Sequence, residues 1–69
     1  MNYKPLRRLL LLGENGVFPD VVDAILLPDG RVVVKEVTGG TYLFESPRHI
    51  AEHYSVKVVM EDTNEPVAP

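Results

Sequence analysis

The stretch His49-Ile50-Ala51-Glu52-His53 carries the residue types and spacing closest to a catalytic pattern in this sequence. Residues 49 and 53 are one helical turn apart, so on a helix both imidazoles face the same way and can share one metal ion. Glu52 stands beside them, where a carboxylate could serve as a base.

Written H-x-x-E-H, this is the spacing of inverted zinc peptidases. A catalytic zinc needs a third protein ligand, which that arrangement takes from a distant second helix. Residues 57–69 show no helical pattern that would supply one. The histidines are therefore read as surface residues of a helix, and no metal ligand and no cofactor is expected.

Other chemistries fail on composition or context. Without Cys there is no thiol nucleophile, no thiolate metal site and no disulfide framework. Ser46 is better explained as a helix cap than as a nucleophile, and Asp20 and Asp23 have no pocket pattern around them. Gly13-x-x-Gly16 and Gly39-Gly40 lack the Lys and the following helix that a phosphate loop requires. No catalytic residue is assigned, and the chain is read as a non-enzyme.

Two groups of residues remain as candidates for binding. Tyr3, Lys4, Arg7 and Arg8 form a basic start that contains three of the seven Lys and Arg and none of the ten Asp and Glu. Clustered basic side chains with a stacking ring are what nucleic-acid binding uses, though the acidic remainder of the chain opposes it. The second group is Tyr42 and Phe44, which alternate with Leu43 and so share one face of a strand. That face is ordinarily core. If Leu43 marks the core side instead, the two rings become an exposed aromatic platform, with Arg48 nearby on the helix that follows. Tyr42, Phe44 and Arg48 are the candidate partner-binding residues.

The elements that must position these residues follow from local signals. Leu6 to Leu12 suits a strand, although Leu also favours helix and Gly13 would end one. Val21 to Leu27 and Arg31 to Val37 are β-branched runs joined by Pro28-Asp29-Gly30, the chemistry of a tight turn. Gly39-Gly40 predicts a second, two-residue turn, leading into a strand over 41–45. Ser46 as cap and Pro47 at the first helical position predict a helix over 47–54, with Ile50, Ala51 and Tyr54 on one face. Val56, Val58 and Met60 alternate as a final strand, with Val59 out of pattern.

The result is an α+β fold: a small antiparallel sheet of about five strands with a central meander, and one short helix before the last strand. A small SH3-like barrel is the alternative, because the pattern does not choose between an open and a closed sheet. Residues 1–61 are expected to form the single domain, and 62–69, acidic and Pro-containing, a flexible tail. The composition, 45% hydrophobic and 25% charged with a net charge of −3, is that of a globular domain. The basic residues before Leu9–Leu12 imitate a secretory leader, but Gly13 and Glu14 cut the apolar run short, and it is too short to span a membrane. Together with the lack of Cys, this points to the cytoplasm.

These readings converge on a small non-enzymatic protein-binding module, a steric modulator or inhibitor of the kind that a bacterium or its phage encodes. Its expected partners are another protein and, because a small core without disulfides gains from association, a second copy of itself. A nucleic-acid-binding accessory protein using the basic start is the alternative. Membrane association is not expected.

Overall fold

The computed structural model describes residues 6–68. It contains seven strands and one helix: β1 (Arg7–Gly13), β2 (Gly16–Val17), β3 (Val21–Leu26), β4 (Val32–Glu36), β5 (Thr41–Phe44), α1 (Pro47–Tyr54), β6 (Lys57–Met60) and β7 (Pro66–Ala68). All pairings are antiparallel, in the order β5-β4-β3-β1-β6-β7, with β2 folded back on β1. The leucine run is a strand. Its first residues, Arg7 and Arg8, pair with Leu26 and Ile25, and Leu9–Leu12 then pair with Met60–Lys57. Thus β1 serves two neighbours at once and joins the meander to the C-terminal strands.

Both meander turns are built the same way. Gly30 N–H donates to Leu27 O at 3.0 Å and Leu27 N–H to Arg31 O at 2.8 Å, and Gly39 N–H donates to Glu36 O at 2.9 Å and Glu36 N–H to Gly40 O at 2.8 Å. Each loop therefore spans three residues and ends on a glycine at positive φ, 97° for Gly30 and 103° for Gly39. The two-residue turn expected at Gly39-Gly40 is thus corrected to Val37-Thr38-Gly39, with Gly40 already paired. Asp29 fits its assigned part, accepting from Arg31 N–H at 3.0 Å.

α1 packs on β5 at one edge of the sheet and on β6 and β7 at the other. For one short helix to touch both edges, the sheet must curl around it. The edge strands still do not pair with each other, so the barrel alternative is excluded and the helix fills the opening. Ile50 and Ala51 point inward onto Leu9, Leu11, Val32, Val34 and Val58, all buried. Each of the Ile, Leu and Val side chains contributes about 1.5–3 kcal/mol by leaving water. The outer face of the sheet is apolar too: Leu10 and Ile25 are half-buried there, and the out-of-pattern Val59 lies opposite Leu10.

Two strands escape the sequence pattern. β2 is only two residues long. β7 falls within the 62–69 segment expected to be a flexible tail; Pro66–Ala68 instead pairs with β6. The connection is a tight turn in which Asn64 N–H donates to Met60 O and Met60 N–H to Glu65 O, both at 2.8 Å, with Asn64 at φ 60°. Asp-Thr-Asn is turn chemistry, and Pro66 is tolerated because it opens an edge strand. Among the described residues no helix is long and apolar enough to cross a membrane.

The helix ends make a test of these local rules. Ser46 Oγ accepts from His49 N–H at 3.2 Å, whereas the other end closes on Ser55 in the left-handed region at φ 57°. Ser46→Ala is expected to cost about 1 kcal/mol by removing the cap. Ser55→Gly is expected to add up to about 1 kcal/mol, because glycine adopts that conformation without steric cost. Urea midpoints of the two variants, moving in opposite directions, check both.

Candidate functional site

The end of the β4–β5 hairpin and the end of α1 bring together five side chains: Glu36, Tyr42, Phe44, His53 and Tyr54. They line an open depression of about 310 Å³. Alternation along β5 aims Tyr42 and Phe44 at the concave face, opposite Val34 and Val32. Helical spacing does the rest, since Tyr54 follows the buried Ile50 by one turn and His53 follows His49.

The two rings, on a face that is ordinarily core and a platform only if Leu43 marks the core side, divide their roles. Phe44 is only 8% exposed and belongs to the core, the ordinary role of that face, while Tyr42 is 48% exposed. Leu43, on the other face, is also exposed. The structure thus places both rings on the core face, where Phe44 is the base of the depression and Tyr42 part of its rim. Tyr42 lies over Gly40, where an added Cβ would come within 2.7 Å of Tyr42 Cζ.

Phe44 is also what the two histidines meet. Its ring centroid is 5.4 Å from that of His49 and 5.3 Å from that of His53. The i, i+4 spacing does put both imidazoles on one helix face, and the group between them is a phenyl ring. Among the described residues no three His, Cys, Asp or Glu side chains gather as metal ligands. Arg48, at the other end of α1, forms an ion pair with Glu52 at 3.5 Å and does not line the depression.

Tyr54 completes the wall. Its ring centroid is 4.7 Å from that of His53, edge-on at 89°, and 5.8 Å from that of Phe44. Its hydroxyl donates to Glu36 Oε2 at 2.7 Å. Desolvation among these rings, then the hydrogen bond to Glu36, then the charges of Glu36 and Tyr42, push the phenol well above its ordinary value of 10.0. The neutral phenol is thus favoured by the folded state. Its stabilising contribution is complete below about pH 10 and is lost as pH rises through the folded value. Absorbance titration at 295 nm should show one tyrosine that resists ionisation until the fold is lost, absent from Tyr54→Phe. A wild-type curve in which all three tyrosines ionise in the ordinary range while the chain stays folded would contradict this geometry.

The basic candidates lie elsewhere. Tyr3 and Lys4 fall outside the described residues. Arg7 pairs with Asp62 at 3.3 Å, and Arg8 pairs with Asp23 and, at 3.4 Å, with Glu61. The structure therefore surrounds the two arginines with carboxylates rather than gathering them into a bare basic patch.

Glu36 and Tyr54 are not singled out as binding residues by the sequence, and His53 enters only through the metal spacing. Their signal is weak, because Glu36 and Tyr54 are 18 residues apart and meet only once the sheet has curled onto the helix. Compared with known proteins, the chain matches no family model, no curated protein and no solved structure.

Proposed function

We propose that this chain is a small non-enzymatic module that binds another protein through the β5 edge and the depression beside it. The observation that carries this reading is the concentration of exposed apolar side chains there: Tyr42, Leu43 at 56% and Val37 at 62%. Tyr42 stands on the rim of the depression, and Leu43 and Val37 lie on the adjoining strand edge and turn; large aromatic and aliphatic side chains of this kind are the composition of interface centres. β5 is also an edge strand of uncharged residues, Thr-Tyr-Leu-Phe, with none of the Lys or Pro that commonly protects such an edge. The mechanism is steric: a rigid sheet covers its partner's surface. The ion pairs of Arg7 and Arg8 weigh against the nucleic-acid reading, because those charges are already offset.

The test is capture of partners by the tagged protein, with and without nuclease, using Tyr42→Ala as the control bait. A stoichiometric protein that survives nuclease and is lost with Tyr42→Ala is the expected result. Recovery that vanishes with nuclease would transfer the function to the basic N-terminal segment.

The same edge suits a second copy. Because Glu36 N–H bonds Gly40 O, alternation turns the backbone groups of Tyr42 and Phe44 toward β4 and those of Thr41 and Leu43 outward. A twofold axis at Leu43 then pairs it with its own copy and sets Thr41 against Glu45 of the second copy. That register puts Glu45 of one copy in line with Lys35 of the other, and neither has an ion pair among the described residues. Sedimentation equilibrium is expected to show a species of twice the 7.7 kDa chain mass, reduced to monomer by Leu43→Lys. A monomer at high concentration in the parent protein would remove self-pairing and leave the first reading standing.

A further inference from the structure

We infer that the depression between β5 and α1 is a receptor for an organic cation, the methylated ammonium or guanidinium head of a side chain presented by the partner protein. This rests on the protein-binding reading above and names the chemistry at its centre. Four rings line the site, Tyr42, Phe44, His53 and Tyr54, and the three that pack on one another are inclined rather than stacked. Phe44 meets His53 at 58° and Tyr54 at 52°, and His53 meets Tyr54 at 89°. Inclined rings make walls around a concavity, whereas parallel rings would fill it. The faces of Tyr and Phe rings carry the negative part of the aromatic quadrupole and attract cations placed over them.

The site also holds a carboxylate. Glu36 lines the same depression, is half-buried, and gives one oxygen to the Tyr54 hydroxyl. Among the described residues no Lys or Arg pairs with it. Its chain neighbour Lys35 points to the opposite face of the sheet by alternation, and Arg48 is engaged with Glu52. A partly desolvated carboxylate beside aromatic walls, with no cation of its own, favours a cation from outside. His53 stands at the exposed side of the site.

The kind of cation follows from what the walls can give. They offer mainly ring faces, and their acceptors are a carboxylate already holding a phenol, the Tyr42 hydroxyl and a His53 ring nitrogen, so a primary ammonium exchanges its three hydrogen bonds with water for few and scattered ones. A methylated ammonium or a guanidinium is less strongly hydrated and gives up less on entry. The volume, about 310 Å³ and open on one side, admits such a head with its alkyl stem leading out to a polypeptide. The net charge of −3 draws positively charged segments toward the surface.

The experiment is an NMR titration of the isotope-labelled full chain with four probes. These are tetramethylammonium, a short peptide bearing trimethyl-lysine, the same peptide with unmodified lysine, and the same peptide with the neutral tert-butyl carbon analogue. The expected result is saturable binding of the two methylated cations, with shifts centred on Tyr42, Phe44, His53 and Tyr54. Neutral-analogue binding should be about tenfold weaker, as expected for loss of cation–π and ionic attraction. The peptide should bind more tightly than tetramethylammonium; equal binding would assign the site to a free small amine and overturn the side-chain source. Equal binding of the neutral analogue would make this an apolar groove, and shifts elsewhere or none would remove the site. Glu36→Gln, which keeps an acceptor for Tyr54, should weaken the cations about tenfold and leave the neutral analogue unchanged; should that variant unfold, Tyr42→Leu reads the same contrast. Loss of cation binding with retained capture of a protein partner would overturn this inference alone.

Discussion

Ile50→Ala is expected to lower the stability of the domain by about 3–4 kcal/mol, read as a fall in the urea midpoint with little change in slope. Ile50 is fully buried and sits at the middle of the inner face of α1, against strands from both ends of the curled sheet. Removing three methyl or methylene carbons there leaves a cavity whose lining includes Val32 and Val58, and both already sit in well-packed strands. A chain of 69 residues has a total stability of roughly 3–10 kcal/mol, so this one substitution removes a large part of it. The consequence reaches the candidate site, because His53 and Tyr54 are held in place by the same helix. Ile50→Val, which removes only one methylene, should cost about 1 kcal/mol and leave the site intact. A loss below about 1 kcal/mol for Ile50→Ala would mean that the helix is not seated across the opening of the sheet.

What was legible in the sequence was what neighbouring residues decide. The helix over 47–54 follows from Ser46, Pro47 and the spacing of Ile50 and Tyr54, and its bounds match the structure. The Pro28–Gly30 hairpin follows from turn chemistry contained in three residues. The strand order is another matter. β1 divides its length between β3 and β6, and nothing in Leu9–Leu12 says which neighbour takes which half. Nor does alternation on β5 reveal which face is core, since Leu43 and Phe44 are equally apolar and only the position of α1 decides between them.

The candidate site was half legible for the same reason. Tyr42 and Phe44 were visible as a pair, and they do line one depression, but as rim and base rather than as a flat platform. The histidine spacing allows a metal pair and the missing third ligand argues against it, but helix geometry gives only the direction of side chains and not what stands in front of them. In the folded chain Phe44 stands there. Glu36 carries no local signal, because its place at the site depends on Tyr54 coming within 2.7 Å across the fold. The β7 strand was missed because Pro66-Val-Ala is too short to show alternation, and its pairing comes from the Asn64 turn.

Adjacent glycines give the sharpest separation of fold from binding. Gly39→Ala is expected to cost about 1 kcal/mol, because φ 103° is a conformation that a Cβ resists, while partner binding by the folded fraction stays unchanged. Gly40→Ala is expected to do the reverse. A Cβ there meets Tyr42 Cζ within 2.7 Å and Cε2 within 2.8 Å, so the ring must move. Those atoms are the far end of a half-exposed side chain, so the ring swings out with little strain on the backbone. Stability should change by less than about 1 kcal/mol, since alanine also restricts the unfolded chain. Binding should weaken about tenfold, the loss expected for an aromatic anchor displaced from an interface, and match that of Tyr42→Ala. The two substitutions differ by one position and the same methyl group, so neither composition nor charge can account for opposite outcomes. If Gly40→Ala bound partner as tightly as the parent chain, the Tyr42 ring would not be part of the contact, and the binding surface would move to the Leu43 side of β5.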